Sequence, residues 1–367
     1  MYTVYQHWDP LKVCTVGRAY PPEFYSWIKH TPTRNKFEKL AEETEEDFQQ
    51  LIVLLQSLQI QVIRPELPEN LQECWVNGEA VSPPVAPRDH FINIHNRLWI
   101  PSLPNENYAR RAFSKQDIMS WEQFKQHDLD KHNVKLSFYQ NIFKQVDKKG
   151  TPLSYTECDY ISGCFVSRVG DNLFFATQSV HDDWDAILKN VNSLFPDTHN
   201  HVVDAQGHGD AVYCPVTPGL IISIADEDYT TTFPGWEVVH LPHSNYAKHK
   251  QFQNSMKINA GRWYIPGFEK NPKLIETVEN YFNHWVGDAS ETVFGVNILC
   301  LDERRIVVSE HNDILEKTCA RYGITVHVVP FRHKYFWDAG IHCLTNDLHR
   351  QGKMKNFFKM PKNLQTG

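Results

Sequence analysis

One phrase returns along this chain: a short apolar strand, a polar turn, and a second apolar strand that answers it. It is written HFINIHNRLWIP at 90–101, CFVSRVGDNLFFAT at 164–177, AVYCPVTPGLIIS at 211–223, MKINAGRWYIP at 256–266 and VNILCLDERRIVVS at 296–309. Alternating side chains around His-Asn, Gly-Asp-Asn, Pro-Gly, Ala-Gly or Asp-Glu predict a β-hairpin at each place. Between the hairpins a second phrase recurs, an amphipathic helix leading into a β-branched strand. FEKLAEETEEDFQQLIVLLQSLQIQVIRP (37–65) sets Leu40, Phe48, Leu51, Ile52 and Leu55 near helical spacing before IQVI alternates. Segments 184–204 and 313–330 repeat it, and TTTFPGWEVVHLP (230–242) keeps the strand after a shorter lead. A hairpin–helix–strand unit used several times predicts an α/β chain whose units stack around an axis, in preference to one doubly wound sheet.

No long linker interrupts the series, and the Pro-rich SPPVAPRD (82–89) reads as a constrained loop. A single domain over 1–367 is therefore expected, with an insertion around 243–292 that carries a helix near 272–285. A formal charge of −7 gives no reason to expect a nucleic-acid partner, which calls for a basic face. The tail 349–367 is locally basic through Arg350, Lys353, Lys355, Lys359 and Lys362, and reads as a solvated arm. No apolar run approaches the ~20 residues of a membrane helix, so no membrane partner is expected. MYTVYQHWDP lacks the basic and apolar regions of a secretory signal, and the eight cysteines form no CxxC pair. These features predict a reducing compartment and a cytoplasmic location.

Reactive side chains gather at four places, each just before or inside a repeated unit. APRDHF holds Asp89, YTECDYISGC holds Glu157 and Asp159, GHGDAV holds His208 and Asp210, and GIHCLT holds Cys343. If extended, GHGDAV turns His208 and Asp210 to one face, and GIHCLT reads as a short strand. Equivalent positions of radially stacked units converge, so groups distant in sequence are expected to meet. Taken singly, Asp89 also suits a loop cap after Pro87, His208 and Asp210 a surface pair, and Cys343 a packing thiol. A fifth cluster, HNHVVDAQGHGD, offers His199, His201, Asp204, His208 and Asp210 as metal ligands, but in neither HxHxDH nor HExxH spacing. A P-loop, a GxGxxG after a strand and a GxSxG elbow are absent.

In this order, PRD (87–89), HGDAV with PGLIIS (208–223), VNILCLDERRIVV (296–308) and GIHCLTNDLHR (340–350) resemble the amidinotransferase branch of the guanidino-group-modifying enzymes. That branch includes arginine:glycine amidinotransferase, and arginine deiminase is a more distant relative. The resemblance implies a propeller of five ββαβ modules in a pseudo-fivefold arrangement. It implies Cys343 as nucleophile, His208 as general acid and base, and Asp89 and Asp210 as the clamp on a guanidinium. It calls for no cofactor and no metal; the partners are a small guanidine donor and an amine acceptor, with a homodimer left open. Bidentate carboxylates suit a planar cation, and a thiolate with a positioned imidazolium suits attack on its carbon and protonation of the departing amine.

Two departures qualify the match. The family places an acid eight positions before the glycine of the second hairpin, to orient the histidine; Ser162 stands there, and either Asp159 takes over through a short local insertion or the histidine lacks its usual partner. After the third hairpin, Glu227 replaces the arginine that holds a donor carboxylate, and Ser290 matches a family serine near the site only across the insertion. Amidino transfer is the leading expectation. A guanidino hydrolase and a non-catalytic guanidine-binding protein are the alternatives.

Overall fold

The computed structural model describes residues 1–102, 121–178, 182–205, 207–224, 228–241, 265, 271–282, 285 and 294–358. In chain order the first strands are β1 (Leu11–Val16), β2 (Gln61–Ile63), β3 (Trp75–Val76), β4 (Glu79–Ala80), β5 (Ile92–Ile94), β6 (Arg97–Pro101), β7 (Leu153–Thr156) and β8 (Val166–Val169). Next come β9 (Asn172–Ala176), β10 (His199–Val203), β11 (Tyr213–Thr217), β12 (Leu220–Ser223) and β13 (Glu237–His240). The last are β14 (Leu299–Asp302), β15 (Arg305–Val308), β16 (Thr325–Val328) and β17 (Thr345–Arg350).

They assemble into five three-stranded sheets of one pattern. In β5-β6-β7, β8-β9-β10, β11-β12-β13 and β14-β15-β16, the central strand pairs antiparallel with its hairpin partner and parallel with the strand that follows. The fifth sheet joins the two ends of the chain: β1 lies antiparallel to β17 and parallel to β2. Hairpins at 90–101, 164–177, 211–223 and 296–309 thus form as the alternation predicts, whereas MKINAGRWYIP, apart from Ile265, lies outside the described residues. Trp75–Val76 and Glu79–Ala80 make a further small hairpin, with Asn77 and Gly78 both at positive φ (51° and 83°). That is the backbone a two-residue Asn-Gly turn requires.

Neighbouring sheets share apolar clusters. Trp99 and Ile92 meet Val166 and Phe175; Phe174 and Val203 meet Tyr213 and Ile221; Val216 and Ile222 meet Cys300 and Ile306. Leu299 and Val307 then pack with Leu11 and Val13, in a cluster that also takes Leu348, Phe91 and Leu98 and so returns to the sheet of β5. Each sheet is too small to bury two faces alone, and the shared clusters supply the missing partner.

The longest helix, Thr31–Ser57, buries Phe37, Leu40, Ala41, Thr44, Phe48, Leu51, Ile52 and Leu55, a stripe spaced three and four apart. It stops where Gln59 takes φ 61° and the chain turns into β2. Helices Trp184–Leu194 and Asp313–Arg321 precede β10 and β16, their first turns capped by Asp183 and Asn312. Within the expected insertion, Pro272–Thr277 is helical and Val278–Phe282 continues as a π-turn. No helix among the described residues is long and apolar enough to cross a membrane.

One reading of the tail is corrected. Arg350 does not belong to a solvated arm: it ends β17, is fully buried, and its Nε donates to Asp347 Oδ2 at 2.7 Å. The arm begins beyond it, with Lys353 and Lys355 exposed.

Candidate active site

Five turns deliver the site, each just upstream of the strand that lies antiparallel to the central strand of a sheet. Asp89 ends a 3-10 turn (Pro87–Asp89) before β5, and Cys164 precedes β8. His208 and Asp210 precede β11, Asn297 precedes β14, and Cys343 precedes β17. Two local expectations are corrected here. GHGDAV is not extended, because Gly209–Ala211 closes a 3-10 turn with His208 at its N-cap. Cys343 lies in the turn 341–344, not on a strand, since the ladder of β17 starts at Thr345.

On one side of the site Cys343 is held from three directions. Asn297 Oδ1 accepts from the Cys343 backbone N–H at 3.0 Å, and its Nδ2 donates to Cys343 Sγ at 3.0 Å. The thiol faces Asp210 Oδ2 at 3.5 Å. That same oxygen takes a bond of 2.7 Å from His342 Nδ1. His342 is kept neutral because burial and the nearby Arg88 push its pKa well below normal, so its Nδ1 carries the proton it donates. Burial raises Asp210 to about 6, against the pull of His208 and Arg88. Burial also raises the Cys343 thiol, with Asp210 and Asp89 adding to it and Asn297 opposing. Arg88, fully buried, donates from Nε to His342 O at 2.8 Å and from Nη2 to Asp347 Oδ1 at 3.1 Å, which ties this turn to the interior.

Gly340 lies against Asn297, where an added Cβ would come within 2.6 Å of the Asn297 side chain. Gly340→Ala is expected to push Asn297 off both Cys343 bonds and to lower turnover about tenfold or more, with a stability loss of only about 1–3 kcal/mol. Steady-state kinetics and denaturant unfolding check this; unchanged kcat/KM removes Asn297 from the machinery.

On the other side stand Asp89, Cys164 and His208, whose ligand atoms all lie within 4.8 Å of one another. Cys164 is hydrogen-bonded to His208; burial raises its thiol to about 11, while the His208 charge and that bond pull it down. Burial likewise raises Asp89, opposed by His208 and Lys135. Ser162 donates to the Asp89 carbonyl at 3.0 Å and touches Cys164 Sγ at 3.2 Å. The edge of Phe165 supports the His208 ring, with centroids 5.1 Å apart. Asp89, Ser162, Cys164, Phe165 and His208 line a cavity of about 250 Å³. Asp89 Oδ1 and Asp210 Oδ1 are buried with no hydrogen-bond partner. Two buried carboxylate oxygens without donors define a place for a ligand rich in N–H groups.

The fold thus brings Asp89, His208, Asp210 and Cys343 to one locality. Glu227 and Ser290 lie outside the described residues, as does the side chain of Asp159, whose backbone forms the 3-10 turn Asp159–Ile161. The group found on His208 is Cys164, which sequence reasoning did not single out; Asn297 was missed as well. Both stand before the edge strands of their sheets, as Asp89, Asp210 and Cys343 do before theirs, and that equivalence was the available signal. The cluster His199–Asp210 does not assemble as one set. His201 bonds Asn172 at 2.9 Å and Asp204 bonds Thr177 at 3.0 Å, leaving His208 to a different group of neighbours.

No family model matches the chain. Its fold is that of solved amidinotransferases. SxtG, an amidinotransferase from Microseira wollei in the saxitoxin biosynthetic pathway, aligns with a TM-score of 0.63 at 16% identity, over 97% of this chain and 99% of that one. In sequence the chain is similar to mitochondrial glycine amidinotransferase of Xenopus tropicalis, 26% identical over 173 residues, or 45% of this chain and 33% of the relative. It is also similar to L-arginine:L-lysine amidinotransferase of Pseudomonas savastanoi pv. phaseolicola, 24% identical over 153 residues, or 41% and 32% of the two chains. The match spans about a third of the length of these curated relatives.

Proposed function

We propose that this chain is an amidinotransferase that moves an amidino group from arginine or a related guanidine to an amine. The observation that carries the reading is the pair of donorless oxygens, Asp89 Oδ1 and Asp210 Oδ1, the second on a carboxylate whose other oxygen faces the Cys343 thiol at 3.5 Å. A guanidinium bound between them supplies N–H donors to both and offsets the negative charge that holds the thiol protonated. Cys343 Sγ then attacks the central carbon, the carbon–nitrogen bond to the donor breaks, and the thiol proton reaches the departing amine through His208. The donor leaves as a neutral amine and the enzyme holds a cationic S-amidino-cysteine. The acceptor amine repeats the sequence in reverse, returning the proton to sulfur.

In this reading the five sheets are the modules of a single propeller with pseudo-fivefold symmetry, whose axis runs through the site. Support comes from the equivalent placement of the five turns and from the ring of shared apolar clusters. Glu227 and Ser290 are assigned to substrate binding, where an acid at 227 favours a cationic group over a carboxylate. Asp159 remains the proposed acid behind His208: Asp159→Asn should cut turnover far more than Glu157→Gln, and equal effects would remove that role. A cytoplasmic, reducing location completes the reading, supported by the scattered spacing of the eight cysteines, with no CxxC pair.

The deciding experiment is intact mass after incubation with arginine at low temperature. An adduct on Cys343, followed by ornithine and a new guanidine when mixed amines are added, supports transfer; citrulline or ammonia replaces it with hydrolysis. Binding without any adduct favours a non-catalytic guanidine-binding protein, a reading motivated by Ser162 where the family places an acid.

Acid weakens binding in this scheme. Asp210 has a carboxyl raised to about 6 among His208, Arg88, Asp89, Cys343 and the neutral His342, and it must ionise to hold a cation. Guanidine affinity is expected to be constant above that pH and to fall by up to about tenfold per unit below it. Calorimetric titration across the range tests this, and a flat profile removes Asp210 from the clamp.

A further inference from the structure

We propose that Asp89, Cys164 and His208 form a site for a soft divalent cation of the zinc type, in the cavity they line beside the Asp89 carboxylate that the guanidine reading also uses. Three turns from three separate modules deliver a carboxylate oxygen, a thiol sulfur and an imidazole nitrogen, all within 4.8 Å of one another. The Asp89 carboxylate has the Cys164 thiol as a hydrogen-bond neighbour, yet its Oδ1 is buried without a partner, which leaves that oxygen open to a further ligand. Tetrahedral zinc with bonds of ~2.0–2.3 Å holds its donors roughly 3.3–3.8 Å apart, so small side-chain rotations complete the set. One thiolate and one carboxylate balance the charge of a divalent ion, with the imidazole neutral. Sulfur and nitrogen donors select zinc over magnesium and calcium, which prefer oxygen.

Room for a fourth ligand is present. The cavity holds about 250 Å³, several times the ~30 Å³ of a water molecule. Binding displaces the Cys164 thiol proton to solvent. The nucleophile stays apart, because Cys343 Sγ is engaged by Asn297 and Asp210. The ligand set also differs from the one the sequence offers in HNHVVDAQGHGD, of which His208 alone is part. Since Asp89 serves both ligands, metal and guanidine exclude each other; that clause rests on the proposed function, while the metal site itself does not. The ion then acts as an inhibitor and has no step in the reaction.

The test uses the full chain, freed of metal by a chelator and titrated with cobalt(II), whose thiolate charge-transfer absorption reports a sulfur ligand, then with zinc. The expected result is one equivalent bound, with the thiolate band present in the wild type and in Cys343→Ala. In Cys164→Ser the band is lost and zinc affinity falls about tenfold or more; Asp89→Asn keeps the band and also weakens binding. The proposal is overturned by no binding, by a band that survives Cys164→Ser, or by one that disappears in Cys343→Ala. An arginine competition separates the two readings. Metal binding as described but indifferent to arginine sinks the shared placement of the donor, not the metal site. An arginine adduct on a chain that takes no metal sinks the metal site alone.

Discussion

Replacing Cys343 by alanine is expected to abolish product formation, lowering turnover by about 10⁴-fold or more, while the chain folds normally. The change removes one sulfur atom from a turn whose other anchors persist. Asn297 still accepts from the backbone of residue 343, and Asp210 Oδ2 keeps its 2.7 Å bond to His342. The small cavity costs about 1 kcal/mol, within reach of a stable fold. Loss of activity with an unshifted melting curve and no mass adduct is the expected signature. Cys164→Ala gives the contrast: it is expected to retain the adduct on Cys343 while turning over more slowly, because His208 loses its hydrogen-bonded neighbour. Should the two variants behave the other way round, Cys164 is the nucleophile and the guanidinium sits nearer His208 than proposed.

The hairpins and the helix–strand leads were legible because they are local. Alternation over four to six residues, broken by Gly-Asp-Asn or Pro-Gly, specifies a two-stranded ladder without help from the rest of the chain. The closing sheet was not legible. β1 and β17 pair Val16 with Thr345 and Leu11 with Arg350, and nothing local marks partners more than three hundred residues apart. The same limit explains Arg350. Its place within the polar run HRQGK (349–353) suggests solvent, but its register opposite Leu11 takes it inside, where Asp347 makes burial tolerable. In the site, Asp89, His208, Asp210 and Cys343 could be suspected from residue type and order. Cys164 could not, because beside Phe165 it reads as strand core, and its contact with His208 depends on how two modules pack. Asn297 was visible only through its position, two residues before β14.

Asp347→Asn is expected to be the most destabilising single substitution considered, and the reason lies beneath the site. Asp347 is fully buried and collects three guanidiniums: Arg168 Nη2 bonds both of its oxygens at 2.8 Å, Arg350 Nε bonds Oδ2 at 2.7 Å, and Arg88 Nη2 bonds Oδ1 at 3.1 Å. Burial works against ionisation, yet Arg168, Arg350 and Arg88 outweigh it and hold the carboxyl well below the usual range. An amide leaves three buried cations without their shared counter-ion, and Arg88 Nη1 and Arg168 Nε already lack partners. Breaking a buried pair from one side costs about 3–5 kcal/mol, and three partners place this case at the upper end or beyond. The melting temperature is expected to fall by about 5 °C or more. The sign with pH follows from the depressed carboxyl. Its contribution is complete above the unfolded value of about 3.9 and is lost as pH falls from there through the folded value, so the wild type loses this advantage only in acid. Above that range the two proteins should differ by a constant amount, and below it they should converge. Because Arg88 also holds the carbonyl of His342, and His342 holds Asp210, surviving Asp347→Asn molecules should bind guanidine more weakly than wild type at equal folded fraction. An Asn variant that melts with the wild type and binds equally well would mean that the three arginines are balanced by something other than Asp347.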